Sequence, residues 1–138
     1  MKRITVIFLA LALQLVAALP VLDGIRLAEG VRDPAKSGPA GELGWHRITR
    51  AVWVQHTSQP FALAGTNAAR ECEVAQQHLD WLERNLVAQH GPVVSPYWLA
   101  LAWNAGLSAT LHHRTTAAQR DYAQRVQNLC QETTQSHP

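Results

Sequence analysis

The chain has 138 residues, near the ~150 that suggest one domain, and 47% are apolar whereas 16% are charged. This composition excludes a disordered or collagen-like polymer, which needs few large apolar residues or a Gly-X-Y repeat. The net charge is +2, and Lys2 and Arg3 account for the excess, since acidic and basic residues are equal in number from Leu19 onward. A basic field for nucleic acid is therefore excluded.

The N-terminal segment has the pattern of an export signal. A basic pair precedes an apolar run over 4–13, and small residues follow over 16–18. This pattern predicts a secretory signal peptide in residues 1–18, a single domain over 19–138, and a periplasmic or secreted location. The alternative is an uncleaved anchor over 4–22, which is long enough to cross a membrane although a glutamine and a proline interrupt it. Only in that case would the membrane be a partner.

The first half of the body predicts two short helices separated by loops. The apolar run 21–29 predicts a helix that stops at Gly30, and 48–56 predicts a second helix that buries its apolar side chains. Prolines and glycines indicate a loop over 32–44 and another over 58–65.

The second half predicts three helices. Thr66 can cap a long helix that reaches residue 89, with a stripe at helical spacing formed by Cys72, Ala75, Leu79, Leu82 and Leu86. Ser95-Pro96 starts an apolar core helix that ends at Gly106. Thr116 and Gln119 have capping-box spacing and start a last helix with the stripe Ala118, Tyr122, Val126 and Leu129. No segment alternates like a strand, so the fold class is mainly α, in one small domain.

The two cysteines, Cys72 and Cys130, fall on or beside the predicted inward faces of two helices. An even number of cysteines in an oxidising compartment favours a disulfide between them. The alternative is a pair of buried thiols. Because the chain has no C-x-x-C motif and its histidines lack ligand spacing, we expect no metal site and no cofactor.

Glu29 is the first residue whose position suggests chemistry. It ends an apolar helix and faces the glycine- and proline-rich loop. A carboxyl group held against apolar surface loses hydration, which raises its pKa and suits it to general-acid catalysis near neutral pH. The alternative is an ordinary solvated glutamate at a helix end.

Three segments in the same order resemble the lytic transglycosylase and goose-type lysozyme group. The first, EGVRDPAKSGPAGELGWHR at 29–47, has the spacing of that group's Glu-Ser, Pro, Ser-Pro-x-Gly-x-x-Gly and Gln elements. LALAWNAG at 99–106 is similar to its Leu-Ala-x-Ala-Tyr-Asn-Ala-Gly helix, and DYAQRVQNL at 121–129 to its closing Tyr-x-x-x-Val helix. Together they span nearly all of the body.

The resemblance implies a small lysozyme-like helical fold that acts on peptidoglycan or a related amino-sugar glycan. By position, Glu29 matches the catalytic acid and base of the group. Asn104 would contact substrate or orient the acid, and Tyr122 matches the tyrosine near the catalytic glutamate. Trp103 stands where the group usually has tyrosine, so it keeps an aromatic face without a hydroxyl. Trp45, inside the glycine-rich loop, is our candidate for stacking on a sugar.

Two residues depart from the group's pattern. Gly30 replaces the serine after the glutamate, and Arg47 replaces the glutamine that lines the cleft. Arg47 could donate to a sugar or to a carboxylate of the peptide stem. A cation near Glu29 would also lower its pKa and favour the ionised form, which cannot act as an acid.

The reaction type depends on whether a second carboxylate takes part. Two-carboxylate glycosidases need an acidic partner across the scissile bond, and Asp33 and Glu42 are the candidates in the loop. A lytic transglycosylase needs only Glu29, because the N-acetyl group of the substrate stabilises the cationic sugar. We expect this second reaction. The alternatives are a hydrolysing muramidase, a lysozyme-like protein that binds cell-wall glycan without cleaving it, and a small disulfide-linked inhibitor or structural protein.

Overall fold

The computed structural model describes the backbone of residues 21–135 and the side chains of residues 21–131. The predicted signal peptide over 1–18 lies outside these residues. Within them the only extended pairing is one isolated antiparallel bridge between Leu43 and Ile48, so the prediction of a mainly α domain is confirmed. None of the described helices combines the length and the hydropathy that a membrane crossing requires.

Seven helices form the described part of the chain. They are α1 (21–29), α2 (Arg50–His56), α3 (Leu63–Thr66), α4 (Ala68–His90), α5 (Pro96–Ala105), α6 (Leu107–Leu111) and α7 (Ala117–Gln135). Sequence patterns predicted all but α3 and α6. These two are only four and five residues long, too short for a hydrophobic period to be recognised.

Capping residues determine where the long helices begin and end. Asn67, rather than the predicted Thr66, caps α4, and its side chain accepts a hydrogen bond from the Arg70 amide at 3.0 Å. The capping box at the start of α7 is confirmed: the Thr116 amide donates to the Gln119 side chain at 2.8 Å, and the Gln119 amide donates to Thr116 Oγ1 at 3.2 Å. Gly106 ends α5 as predicted, with a φ of 89° that favours glycine.

Helix α5 lies at the centre of the core. Four consecutive residues of this helix, Leu99 to Ala102, are buried, as its nearly continuous apolar sequence predicted. It packs chiefly against α7 and also contacts α4 and α6. Side chains from other elements complete the core, including Val21, Ile25, Ile48, Trp53, Phe61, Leu79, Leu82, Leu86, Tyr122 and Val126.

The predicted disulfide between Cys72 and Cys130 is not formed in this structure. Glu71, not Cys72, occupies the inward position of α4. Neighbouring residues on an α-helix point about 100° apart, so burial of Glu71 leaves Cys72 exposed. Cys130 is buried and packs against α1, since a Cβ atom added to Gly24 would lie 2.8 Å from its sulfur. The predicted inward position of Ala118 is also wrong, because this residue is exposed.

The loop between α1 and α2 is fixed to α4 by a buried hydrogen-bonded pair. His46 donates its backbone N–H to Glu71 Oε1 at 2.9 Å, and its Nδ1 lies 2.9 Å and 3.0 Å from the two carboxylate oxygens. Both residues are buried, with exposed fractions of 4% and 1%. These contacts hold the loop close to α4 just before Arg47, the residue predicted to line a cleft.

Gly44 allows this close approach. It has a φ of 85°, and a Cβ atom at this position would lie 2.6 Å from both the Ala64 carbonyl oxygen and Glu71 Cγ. Gly41 has a similar φ of 76°, but a Cβ atom there would meet nothing within 4 Å. Alanine at Gly41 would therefore meet only the strain of a left-handed backbone, whereas alanine at Gly44 would meet that strain and a steric clash.

We predict that Gly41→Ala lowers the free energy of unfolding by about 1 kcal/mol, because alanine is strained at a positive φ. Gly44→Ala should cost an additional 1–3 kcal/mol or so, because its Cβ also overpacks the contact with α4. Chemical denaturation of the two variants beside the parent protein measures the difference. Equal losses in the two variants would contradict this account of the loop.

Candidate active site

Glu29 and Tyr122 lie together, as the resemblance implied. The Tyr122 hydroxyl donates a hydrogen bond to Glu29 Oε1 at 2.9 Å. Glu29 is the last residue of α1, and Tyr122 lies in the second turn of α7, so residues 93 positions apart in the sequence meet in the fold. Tyr122 is buried on the inward face of α7 with 6% of its surface exposed, and its hydroxyl therefore reaches Glu29 from the protein interior.

Burial raises the pKa of the Glu29 carboxyl group, and this is the largest influence on it. The hydrogen bond from Tyr122 and the charges of Arg47 and Arg125 lower the pKa, whereas the negative charge of Glu42 raises it. The net direction is upward. The expected effect of Arg47 is thus present, but it does not overcome the loss of hydration. A raised pKa increases the protonated fraction, which is the form that a general acid requires.

The same environment keeps Tyr122 neutral. Its pKa is raised, first by burial and then by the negative charge of Glu29 and the hydrogen bond to it. Tyr122 can therefore act as a hydrogen-bond donor to the Glu29 carboxylate over the physiological pH range, but not as a base. This arrangement orients one oxygen of Glu29, Oε1, through the hydrogen bond from Tyr122.

Arg47 reaches the site from a constrained backbone. Its φ is 53°, which is uncommon for a residue with a side chain. Its Nη1 donates to the Lys36 carbonyl oxygen at 2.6 Å, so the guanidinium group spans the loop. Its charge is close enough to Glu29 to lower the pKa of that residue.

The two candidate second carboxylates occupy different positions. Asp33 is exposed, and its Oδ1 accepts a hydrogen bond from the Ala35 amide at 3.0 Å within a turn. Glu42 is half-buried, and its Oε2 accepts from the Ala40 amide at 2.8 Å. Glu42 affects the pKa of Glu29, whereas Asp33 does not contribute to the shift. The structure thus couples Glu42, but not Asp33, to the candidate acid.

The remaining predicted site residues make their contacts with other parts of the fold. Trp45 is half-buried, and the Arg26 guanidinium of α1 lies over its ring at 4.8 Å from the centroid. Trp103 is directed towards α4, where its ring centroid is 5.3 Å from that of His78. Asn104 is exposed near the end of α5, and the hydrogen bonds among the described residues do not join it to Glu29. A hydrogen bond relates Tyr122 to Glu29, and a charge effect relates Arg47 to it. Trp103 and Asn104 have neither relation to Glu29 among the described residues.

Histidines that appeared scattered in the sequence form an aromatic cluster in the fold. His56 Nε2 lies 3.0 Å from His78 Nδ1, and the His78 ring is stacked on Trp81 with 5.6 Å between centroids. Burial lowers the pKa of His78 to about 4, so this ring is neutral at physiological pH. Within the described part of the chain, no group of three or more His, Cys, Asp or Glu side chains could hold a metal ion.

Sequence reasoning missed two components of the site. Arg125 lies one helical turn after Tyr122, with its Cζ 5.7 Å from the centroid of the tyrosine ring. The three-residue spacing on a predicted helix could have indicated this contact. The second is the buried pair of His46 and Glu71, which are 25 positions apart in the sequence. Glu71 precedes Ala75 and His78 at helical spacing, and this pattern could have predicted that Glu71 is buried.

We predict that Tyr122→Phe raises the pKa of Glu29. The tyrosine hydroxyl stabilises the carboxylate form, so its removal makes the ionised state less favourable. An NMR titration that follows the Glu29 side-chain carbon measures the change. Tyr97→Phe is the matched control, because it removes the other tyrosine hydroxyl of the chain and should leave Glu29 unchanged. A lower pKa in Tyr122→Phe would contradict the orientation of the hydrogen bond.

The candidate site therefore consists of a half-buried carboxyl group, a buried hydroxyl donor and two nearby guanidinium groups. The end of α1 supplies Glu29, the loop supplies Arg47, and α7 supplies Tyr122 and Arg125. Comparisons with protein-family models, with curated proteins and with solved structures gave no match to this chain.

Proposed function

We propose that this protein is an exported lytic transglycosylase with a lysozyme-like fold that cleaves the MurNAc–GlcNAc bond of peptidoglycan. Glu29 acts as both acid and base. The observation that carries this proposal is the contact between Glu29 and Tyr122 at 2.9 Å. The resemblance of three sequence segments implied that these two side chains would meet, although Glu29 and Tyr122 are 93 positions apart in the sequence.

The environment of Glu29 supports its role as the acid. In the first step, protonated Glu29 would transfer its proton to the glycosidic oxygen as the bond from that oxygen to C1 of MurNAc breaks. The N-acetyl group of the same sugar would stabilise the positive charge on C1. Burial favours the protonated form of Glu29 that this step consumes.

The second step would return Glu29 to its starting state. As a carboxylate, Glu29 would take the proton of the C6 hydroxyl while the C6 oxygen forms a bond to C1. The product is a 1,6-anhydro sugar, and no water molecule is consumed. Tyr122 would stabilise the carboxylate between the two steps, because it donates a hydrogen bond to Oε1.

The positions of the other carboxylates favour this reaction over hydrolysis. Asp33 is exposed and accepts a hydrogen bond within its own turn. Glu42 is coupled to Glu29, but its side chain also accepts a hydrogen bond from the Ala40 amide of its own turn. A hydrolysing muramidase would use Glu42 as the second carboxylate, and this is the alternative that the structure favours next. The second alternative is a protein that binds glycan without cleaving it, which would explain why Gly30 and Arg47 depart from the pattern of the lytic transglycosylase group.

We predict that the parent protein releases anhydro-muropeptides from purified peptidoglycan and that Glu29→Gln lowers the rate by about 10²–10⁴-fold, the usual contribution of general acid–base catalysis. Mass spectrometry of the digests distinguishes an anhydro end from a reducing end. Gln at this position can still accept the hydrogen bond from Tyr122, so the local fold should be retained. Asp33→Asn is the matched control and should leave the products unchanged.

Each alternative gives a different result in the same experiment. Reducing-end products that are lost in Glu42→Gln would indicate a hydrolase with two carboxylates. Glycan binding by the folded parent protein without any product would indicate a binding protein. Either result would contradict the proposed reaction.

A further inference from the structure

Two arginines beside Glu29 have no carboxylate in direct contact. In the part of the chain whose side chains the structure describes, the contact ion pairs are His46–Glu71 and Arg70–Glu73. Arg47 is held instead by the Lys36 carbonyl oxygen, and Arg125 lies over the Tyr122 ring. Both positive charges act on Glu29 without forming a contact ion pair with it.

The arginines approach Glu29 from different elements. Arg47 belongs to the loop that the His46–Glu71 pair holds against α4, and Arg125 belongs to α7 and is exposed. The bond from Arg47 Nη1 to Lys36 fixes one end of its guanidinium group, and the other N–H groups of such a group remain suited to a planar anion. When Glu29 is protonated for catalysis, the local charge of the site becomes more positive.

We propose that Arg47 and Arg125 form an anion subsite that binds a carboxylate of the glycan substrate next to the scissile bond. This inference rests on the proposed function and specifies the substrate as a carboxylate-bearing glycan rather than a neutral amino-sugar polymer. Peptidoglycan offers two such groups close to the sugar ring: the lactyl carboxylate of a strand without peptide and the carboxylates of the peptide stem. Guanidinium recognition of a carboxylate is the chemistry that both share.

Binding of the carboxylate would also act on the acid. Arg47 and Arg125 lower the pKa of Glu29 in the free protein, while Glu42 raises it and Tyr122 lowers it through its hydrogen bond. A bound anion would offset the two positive charges and favour protonated Glu29 when substrate is present. The alkaline limb of kcat, where activity falls as Glu29 ionises, would then lie at higher pH than that of kcat/KM, since these two quantities report the bound and free protein.

The binding experiment uses the Glu29→Gln protein, which keeps a neutral side chain at position 29 and prevents cleavage. Arg47→Gln and Arg125→Gln are added separately, and Arg84→Gln is the matched control because this exposed arginine of α4 does not affect the pKa of Glu29. Four ligands are compared by calorimetry: a neutral GlcNAc oligomer, strands stripped of peptide, intact strands, and intact strands whose carboxyl groups have been amidated.

We expect Arg47 and Arg125 each to contribute to the binding affinity for charged strands only. Arg47→Gln and Arg125→Gln should weaken binding of carboxylate-bearing strands by about 10–100-fold, as expected for a charged hydrogen bond. Binding of the neutral oligomer should change by less than about twofold. A loss with stripped strands identifies the lactyl carboxylate, and a loss with intact strands alone identifies the peptide stem. Added salt should weaken the charged complexes selectively.

Other results overturn the inference in distinguishable ways. If the protein binds glycan but each arginine substitution affects neutral and charged ligands equally, the anion subsite is wrong and the proposed function stands. Equal affinity for amidated and unmodified strands would likewise show that the anion subsite is wrong, without contradicting the proposed function. If the folded parent protein binds none of the four ligands, the proposed function fails together with this inference. Should Arg47→Gln fail to fold, the exposed Arg125 position provides the same test.

Discussion

The hydrogen bond between Tyr122 and Glu29 joins the first and last described helices and determines the chemistry of the site. The hydroxyl group comes from a buried position on α7 and reaches the carboxyl group at the end of α1 with a separation of 2.9 Å. Burial raises the pKa of Glu29, and the hydrogen bond opposes that rise. Because burial has the larger effect, the fold keeps Glu29 closer to protonation than an exposed glutamate, while the hydrogen bond from Tyr122 still stabilises its carboxylate form.

The loop that brings Arg47 and Glu42 to this site depends on a second interaction, the buried pair of His46 and Glu71. A buried hydrogen-bonding group left without a partner costs about 1–3 kcal/mol, so each member of the pair requires the other. Three contacts of 2.9–3.0 Å hold His46 against α4. Gly44 permits the approach because a larger residue would meet Ala64 and Glu71. The contacts with His46 thus offset the cost of burying the Glu71 side chain, and they fix the conformation of the loop that carries Arg47.

The sequence predicted the parts of the fold that local patterns determine. The end of α1 at Gly30, the apolar helix α5 and the capping box of α7 depend on residues within a few positions of each other, and all three are confirmed. The predicted stripe of α4 is confirmed at Ala75, Leu79, Leu82 and Leu86, which are buried, but Cys72 is exposed and its neighbour Glu71 is buried instead. A buried glutamate is stable only with its histidine partner, and no local pattern could indicate that pair. In the site, the resemblance brought Glu29 and Tyr122 together correctly, whereas the effect of the Arg125 charge on Glu29 depends on how α7 packs in the fold.

The fold holds Glu29 in surroundings that disfavour its carboxylate form. The most direct measurement is the free energy of unfolding of the parent and of Glu29→Gln over a range of pH. A folded-state pKa above the unfolded value of about 4.3 means that the parent loses stability as pH rises from the unfolded pKa through the folded pKa. The Gln variant lacks this loss, so its stability relative to the parent should increase with pH across that interval and then remain constant. A relative stability that stays flat or decreases with pH would contradict the account.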